Sequence, residues 1–188
     1  VMVKFDSIEG VSQLAGNILG SFLRPESMEL VDTNVAHTLG ADFKLRDGEL
    51  LLLIGIAGSK EVVARHINDI KAMTAATKVL SLSVISGDDE KEAWANQRRI
   101  RQYSVSGMVK GKAAVPINAA KEMYREIQRI AAQNRLQAGI SGRLGNGILY
   151  PVLFDGRLDS LLKATAELVD STTRLGGFFV AESDPLEV

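Results

Sequence analysis

The most informative stretch of this sequence is Ser141-Gly142-Arg143-Leu144-Gly145-Asn146-Gly147-Ile148-Leu149-Tyr150-Pro151. Asn-Gly between two apolar runs is a strong hairpin signal, because both central positions of a type I′ turn take positive φ, which Asn and Gly tolerate. With Asn146 and Gly147 as the two turn residues, Gly145 pairs with Ile148, Leu144 with Leu149 and Arg143 with Tyr150. A guanidinium, which offers a carboxylate two parallel N–H donors, then stands beside a phenol. Leu144 and Leu149 point the other way, and Gly142 and Gly145 let a backbone or a ligand come close. A plain hairpin with an exposed Arg–Tyr pair meets the same pattern, since Asn-Gly hairpins are common and most have no chemistry.

Other reactive side chains are sparse. The only histidines are His37, in a polar stretch, and His66, beside a helical stripe, and no Ser/His/Asp or paired-carboxylate arrangement can be read off. The absence of cysteine removes disulfides, thiolate nucleophiles, iron–sulfur clusters and thiolate metal sites, and suits a reducing cytoplasm. Trp94 reads as a packing anchor. Arg98, Arg99 and Arg101 read as the solvated, dipole-matched end of a helix.

The elements that position the hairpin follow from periodicity. Val1–Phe5 is a strand, then Asp6 and Glu9 form a capping box before a helix with Ile8, Val11, Leu14, Ala15, Ile18, Leu19 and Phe22 on one side, stopped by Pro25. Ser27–Asp32 is a strand, and a polar stretch ending in the Arg46-Asp47-Gly48 turn leads to the buried strand Glu49–Ala57. Ser59 caps a helix with Val63, Ile67, Ile70 and Thr74 on its stripe, and Val79–Ile85 is the next strand. A linking helix runs over Asp88–Gln102. The order then recurs: strand Lys112–Pro116, a helix capped by Asn118 with Met123, Ile127, Ile130 and Ala131 buried, and strands Gln137–Gly142 and Gly147–Leu153. A helix capped by Asp155, with Leu158, Leu161, Leu162, Thr165, Leu168 and Val169, and strand Gly177–Glu182 complete it.

Residues 1–86 and 112–182 thus each take the βαββαβ order of a ferredoxin-like motif, joined by helix 88–102. The expected fold is α+β, with two such halves forming one largely antiparallel sheet and helices on one face. The 188 residues suit one domain or two small ones. A net charge of −1 and 24% charged residues exclude a disordered chain, a broad basic nucleic-acid face and a polybasic membrane patch. The longest apolar stretch, Leu50 to Gly58, is far shorter than the ~20 residues of a membrane span.

The hairpin also resembles the G-H-x-G-D-G-N-x-H signature of the FAD-linked oxidase C-terminal domain, the substrate-side domain of vanillyl-alcohol-oxidase-like flavoproteins. Further pieces resemble that family in order: Leu23-Arg24-Pro25-Glu26-Ser27-Met28-Glu29-Leu30-Val31-Asp32, with its proline followed four residues later by glutamate, and the buried run Leu50–Gly58. Lys112–Pro116 is similar to its proline-ended strand and Gly176-Gly177-Phe178-Phe179-Val180-Ala181-Glu182 to its closing strand. The resemblance implies a part in FAD-dependent oxidation of a 2-hydroxy acid.

In metal-dependent members two histidines of the hairpin and a glutamate of the last strand form a divalent-metal site. Arg143 and Tyr150 stand at those histidine positions here, Ser183 stands where another histidine is frequent, and of the three ligands Glu182 alone remains, so no metal is expected. This variant looks more like the FAD-binding accessory subunit of bacterial glycolate oxidase than its metal-bearing partner. The resemblance implies Arg143, Asn146, Tyr150 and Glu182 as the substrate side of a flavin site, with Arg143 holding a carboxylate; the alternative is that Arg143 pairs with Glu182 and the pocket is vestigial.

FAD itself is expected to be held mainly by an N-terminal FAD-binding domain absent from these residues. Gly142–Gly147 lies in a hairpin rather than between strand and helix, so it is no dinucleotide fingerprint. The chain is therefore expected to be a fragment that does not hold FAD tightly or turn over alone. Implied partners are that domain, a small hydroxy acid, and a paralogous flavoprotein with an iron–sulfur subunit, any membrane association coming through them. A non-catalytic assembly subunit and a ferredoxin-like regulatory module for small ligands are the competing readings. RNA binding lacks the basic–aromatic interleaving it needs.

Overall fold

A computed structural model describes residues 1–102 and 107–183. In chain order the elements are β1 (Met2–Phe5), α1 (Ile8–Leu19), β2 (Ser27–Asp32), α2 (Thr33–Thr38), β3 (Leu50–Gly55), α3 (Lys60–Ala75), β4 (Ser81–Ser83) and α4 (Asp88–Gln102). They continue with β5 (Val109–Ala114), α5 (Ala120–Gln133), β6 (Gln137–Arg143), β7 (Ile148–Phe154), α6 (Leu158–Arg174) and β8 (Phe178–Ala181). The fold is α+β: eight strands form one sheet in the order β4-β1-β3-β2-β6-β7-β5-β8, every pair antiparallel. Each unit contributes the ferredoxin-like order of fourth, first, third and second strand, and the two meet edge to edge through β2 and β6. Joining these edges gives each the pairing partner that an exposed edge lacks.

One face of the sheet carries Val3, Phe5, Leu30, Leu52, Ile54, Ala138, Ile140, Leu149 and Leu153, packed under α1, α3, α5 and α6. The opposite face is covered in part. Val31, Leu51, Leu53 and Val152 form a second core with Val35 and Ala36 of α2, Phe43 and Leu45 of the following segment, and Ala93 and Ile100 of α4. The helices of the two βαββαβ units share one face, as expected. The linking helix and a short helix unforeseen in the polar stretch add a layer on the other.

Asp32 starts that short helix, its carboxylate accepting from Val35 N at 2.7 Å. It also accepts from Ile140 N of β6 at 2.8 Å, while Asn34 Nδ2 donates to Ala138 O at 2.9 Å, so α2 is fastened across the seam. Gly139 makes the approach possible, because a Cβ there would lie 2.6 Å from Val35 N.

Several caps differ from the sequence reading. Ser7, not Asp6, is the N-cap of α1, because Asp6 pairs with Lys78. The helix ends at Leu19 with Gly20 as cap, well before Pro25, and leaves Phe22 90% exposed. Ala119 precedes α5 after a 3-10 turn that contains Asn118, and Arg157 precedes α6. Asp155 instead takes a left-handed turn at φ 59°, which aspartate tolerates. Ser59 does cap α3.

Candidate functional site

The hairpin forms with a different turn. Leu144–Asn146 is a 3-10 turn closed by Gly147 at φ 68°, so the loop has four residues rather than two. Arg143 now pairs with Ile148, Gly142 with Leu149 and Ser141 with Tyr150. Gly147 is fixed there by β5: a Cβ would meet Val115 O at 2.1 Å, and Val115 N donates to Gly147 O at 2.9 Å. A slip of two residues keeps every side chain on its face, so Arg143 and Tyr150 still share one, as diagonal rather than direct neighbours.

That face is where the seam between units meets α4. Arg143 pairs in register with Glu29 of β2, its Nε 3.3 Å from Glu29 Oε1. Gln97 Nε2 of α4 donates to Glu29 Oε2 at 2.9 Å. One turn later the Arg101 guanidinium lies over the Tyr150 ring, 3.3 Å from its centroid, a cation–π contact in a partly desolvated place. Burial pushes the Glu29 carboxyl above the usual carboxylate range, and Arg143, Arg101 and the Gln97 amide pull it back. Two permanent cations thus face one carboxylate. The Arg143 side chain is 51% exposed, so the cluster opens to solvent along it.

Two buried polar atoms of the cluster have no hydrogen-bond partner among the described residues: Gln97 Oε1, an acceptor, and Arg101 Nη1, a donor. They sit on neighbouring turns of one helix face. A protein interior leaves few such groups unpaired, and leaving one costs about 1–3 kcal/mol.

The other two sequence-predicted site residues lie elsewhere. Asn146 lines a cavity of about 270 Å³ with Leu23, Arg24, Glu26 and Met28. It adjoins a larger one of about 570 Å³ between α1 and α5, lined by Ala15, Gly16, Ile117 and Lys121. Glu182 is exposed at the end of β8, three strands from Arg143, and its electrostatic neighbour is Lys110. Arg143 therefore pairs with Glu29 and not with Glu182. Arg101, read from sequence as solvated, is half-buried against Tyr150, and Gln97 and Glu29 join it. The signal for Glu29 was an acid inside the apolar run Met28-Glu29-Leu30-Val31; for Gln97 and Arg101 it was their four-residue spacing.

The donors present do not fit a divalent metal. A guanidinium is a permanent cation with no lone pair to give, and among the described residues no three His, Asp or Glu side chains come together. They do not fit the pyrophosphate of FAD either, since no glycine-rich loop opens a helix at a strand end there.

Fold and site together define a double ferredoxin-like α+β domain with a cationic, incompletely paired cluster at its central seam. The chain belongs to the family described as FAD linked oxidases, C-terminal domain, whose sequence model matches residues 1–182. It is similar to D-lactate dehydrogenase (cytochrome) 1, mitochondrial, of Saccharomyces cerevisiae, 25% identical over 162 residues that cover 78% of this chain and 27% of that protein. In fold it is similar to alkyldihydroxyacetonephosphate synthase. One structure gives a TM-score of 0.63 at 18% identity and a second gives 0.60 at 15%, each covering 94% of this chain and 38% of the other. The chain thus spans well under half the length of the proteins it matches. Among the described residues no helix is long and apolar enough to cross a membrane.

Proposed function

We propose that this chain is the substrate-side domain of an FAD-dependent 2-hydroxy-acid oxidoreductase. The FAD is held by an N-terminal domain, and Arg101, Arg143, Gln97, Glu29 and Tyr150 form the substrate cluster. The observation that carries this is the charge count: two guanidinium groups share one carboxylate, with a buried donor and a buried acceptor left over. A 2-hydroxy acid supplies what is missing, an anion for the guanidinium and an O–H for the amide oxygen. Bound FAD supplies the two-electron acceptor for the α-carbon hydrogen. This chain's residues bind and orient: Arg101, held flat by Tyr150, receives the carboxylate, and Arg143 adds charge at the solvent side. Asn146 and Glu182 have no part in this cluster.

The proposed partners are the FAD-binding domain and, from the likeness of the hairpin to the glycolate oxidase accessory subunit, a paralogous flavoprotein with an iron–sulfur subunit. Because Arg143 is already tied to Glu29 across the seam, an assembly subunit with a purely structural ion pair is the second reading. Calorimetric titration of this chain with D-lactate separates the two. Arg101→Met and Arg143→Met should each weaken binding about tenfold or more, the size of one charge-assisted hydrogen bond. Variants that lower only the melting temperature and leave binding unchanged support the assembly subunit.

A further inference from the structure

On the face of the sheet away from the Arg143–Glu29 pair, α1 and α5 lie side by side, clasped at one end where Glu9 pairs with Arg125. One turn from the clasp on each helix, Ser12 and Lys121 open a cavity of about 570 Å³ that reaches Leu19 and is also lined by Leu144 of the hairpin turn. Leu19 is shared with the adjoining cavity of about 270 Å³, which Leu23, Pro25 and Met28 help to line. The larger cavity has the size and the lining of a small-molecule site, aliphatic walls with few polar groups. Leu19 and Ile117, 41% and 50% exposed, stand at its rim. Lys121 is the one charged side chain among the described residues that line it. Glu9, the acid that feels the Lys121 charge, is already engaged by Arg125.

We propose that this groove binds a medium-chain aliphatic carboxylate, its head on Lys121 and Ser12 and its tail along Leu19, Ile117 and Leu144 toward Met28. Charge and shape together choose the occupant. A cation at one end of an aliphatic channel suits an anionic head with an apolar tail, whereas a peptide segment would bring backbone N–H and C=O groups that such walls cannot pair. Ser12 to Leu19 covers two helical turns, about 10 Å, the length of an extended chain of about eight to ten carbons. The sheet stands between this groove and the 2-hydroxy-acid cluster, so the groove is a second site and does not depend on the first. Gly16 forms part of its wall, and a Cβ there would meet no atom within 4 Å. A larger side chain at that position therefore enters the groove without disturbing the core, and it favours the helix over glycine.

The test is calorimetric titration of the chain with decanoate below its micelle-forming concentration, beside octanoate and the neutral decanamide. Decanoate should bind once per chain and about tenfold more tightly than octanoate, the effect of two methylenes leaving water. Lys121→Met should weaken decanoate about threefold and leave decanamide unchanged, since only the carboxylate loses an ionic partner. Gly16→Leu should abolish binding of all three while the melting temperature holds or rises. Binding that persists in Gly16→Leu, or that is indifferent to chain length, overturns the proposal. Equal weakening of decanoate and decanamide by Lys121→Met overturns the placing of the head. Absence of decanoate binding overturns the whole, and weaker association of Gly16→Leu with the FAD-binding domain would then assign the groove to that partner.

Discussion

Replacing Asp32 should loosen the seam between the two units. Its carboxylate takes Val35 N at 2.7 Å and Ile140 N at 2.8 Å, fully out of water. Asp32→Ala leaves both N–H groups buried without an acceptor, at about 1–3 kcal/mol each, so a loss of about 2–6 kcal/mol is expected. Burial pushes the Asp32 carboxyl up from 3.8 to about 7, against the pull of backbone N–H groups of Val35, Ile140 and Asn34. The folded chain therefore keeps a proton on Asp32 at pH values where the unfolded chain has released it. Stability from this group is complete below about pH 4 and is lost as pH rises through about 7, by at most about 4 kcal/mol.

Asp32→Asn isolates that linkage, because the amide is neutral at every pH; its single acceptor oxygen serves one of the two N–H groups, which bond different oxygens of Asp32, and the cost at the other is the same at every pH. Urea unfolding of both proteins from about pH 4.5 to 8 should show a difference that shifts in favour of the variant as pH rises, with contributions from other groups cancelling. A wild-type minus variant difference that stays constant across this window would refute the reasoning. So would one that moves toward the wild type.

Other outcomes follow from the same geometry. Gly139→Ala puts a Cβ 2.6 Å from Val35 N and forces α2 off the sheet, so denaturant unfolding should register a loss of about 2 kcal/mol or more. Leu30→Ala, fully buried on the central strand β2, should cost about 2–5 kcal/mol by the same measurement. Phe22→Ser, at a side chain 90% exposed, should change stability by less than about 0.5 kcal/mol. The purified chain should show no visible flavin absorption band; a stoichiometric band would overturn the assignment of FAD to another domain.

The α+β class was legible because α1, α3, α5 and α6 carry strong apolar stripes and the strands between them are apolar runs bounded by turn residues. The linking helix was legible from its charge gradient, acidic at Asp88-Asp89-Glu90 and basic at Arg99 and Arg101. The short helix α2 was hidden because its start, Asp32, also ends a strand, and six residues are too few to display a period. The hairpin register was misread because Asn-Gly predicts a two-residue turn, whereas contact of Gly147 with Val115 selects a four-residue loop. The site was legible in part. Arg143 and Tyr150 share a face whichever turn closes the hairpin, but Asn146 and Glu182 depend on how loops and a distant strand are placed. Arg101 escaped because a basic helix end satisfies the helix dipole without any partner. Only the crossing of α4 over the seam brings it to Tyr150.

The central claim is that the Arg101 guanidinium on α4, stacked on Tyr150, receives the substrate's carboxylate. It is tested most directly by anaerobic reduction of the flavin by D-lactate in the protein that joins this domain to its FAD-binding domain, comparing Arg101→Ala with the parent. Half-saturation should need about tenfold or more D-lactate in the variant, with the flavin spectrum unchanged before substrate is added. Half-saturation at the parent's concentration, with folding intact, would contradict the account.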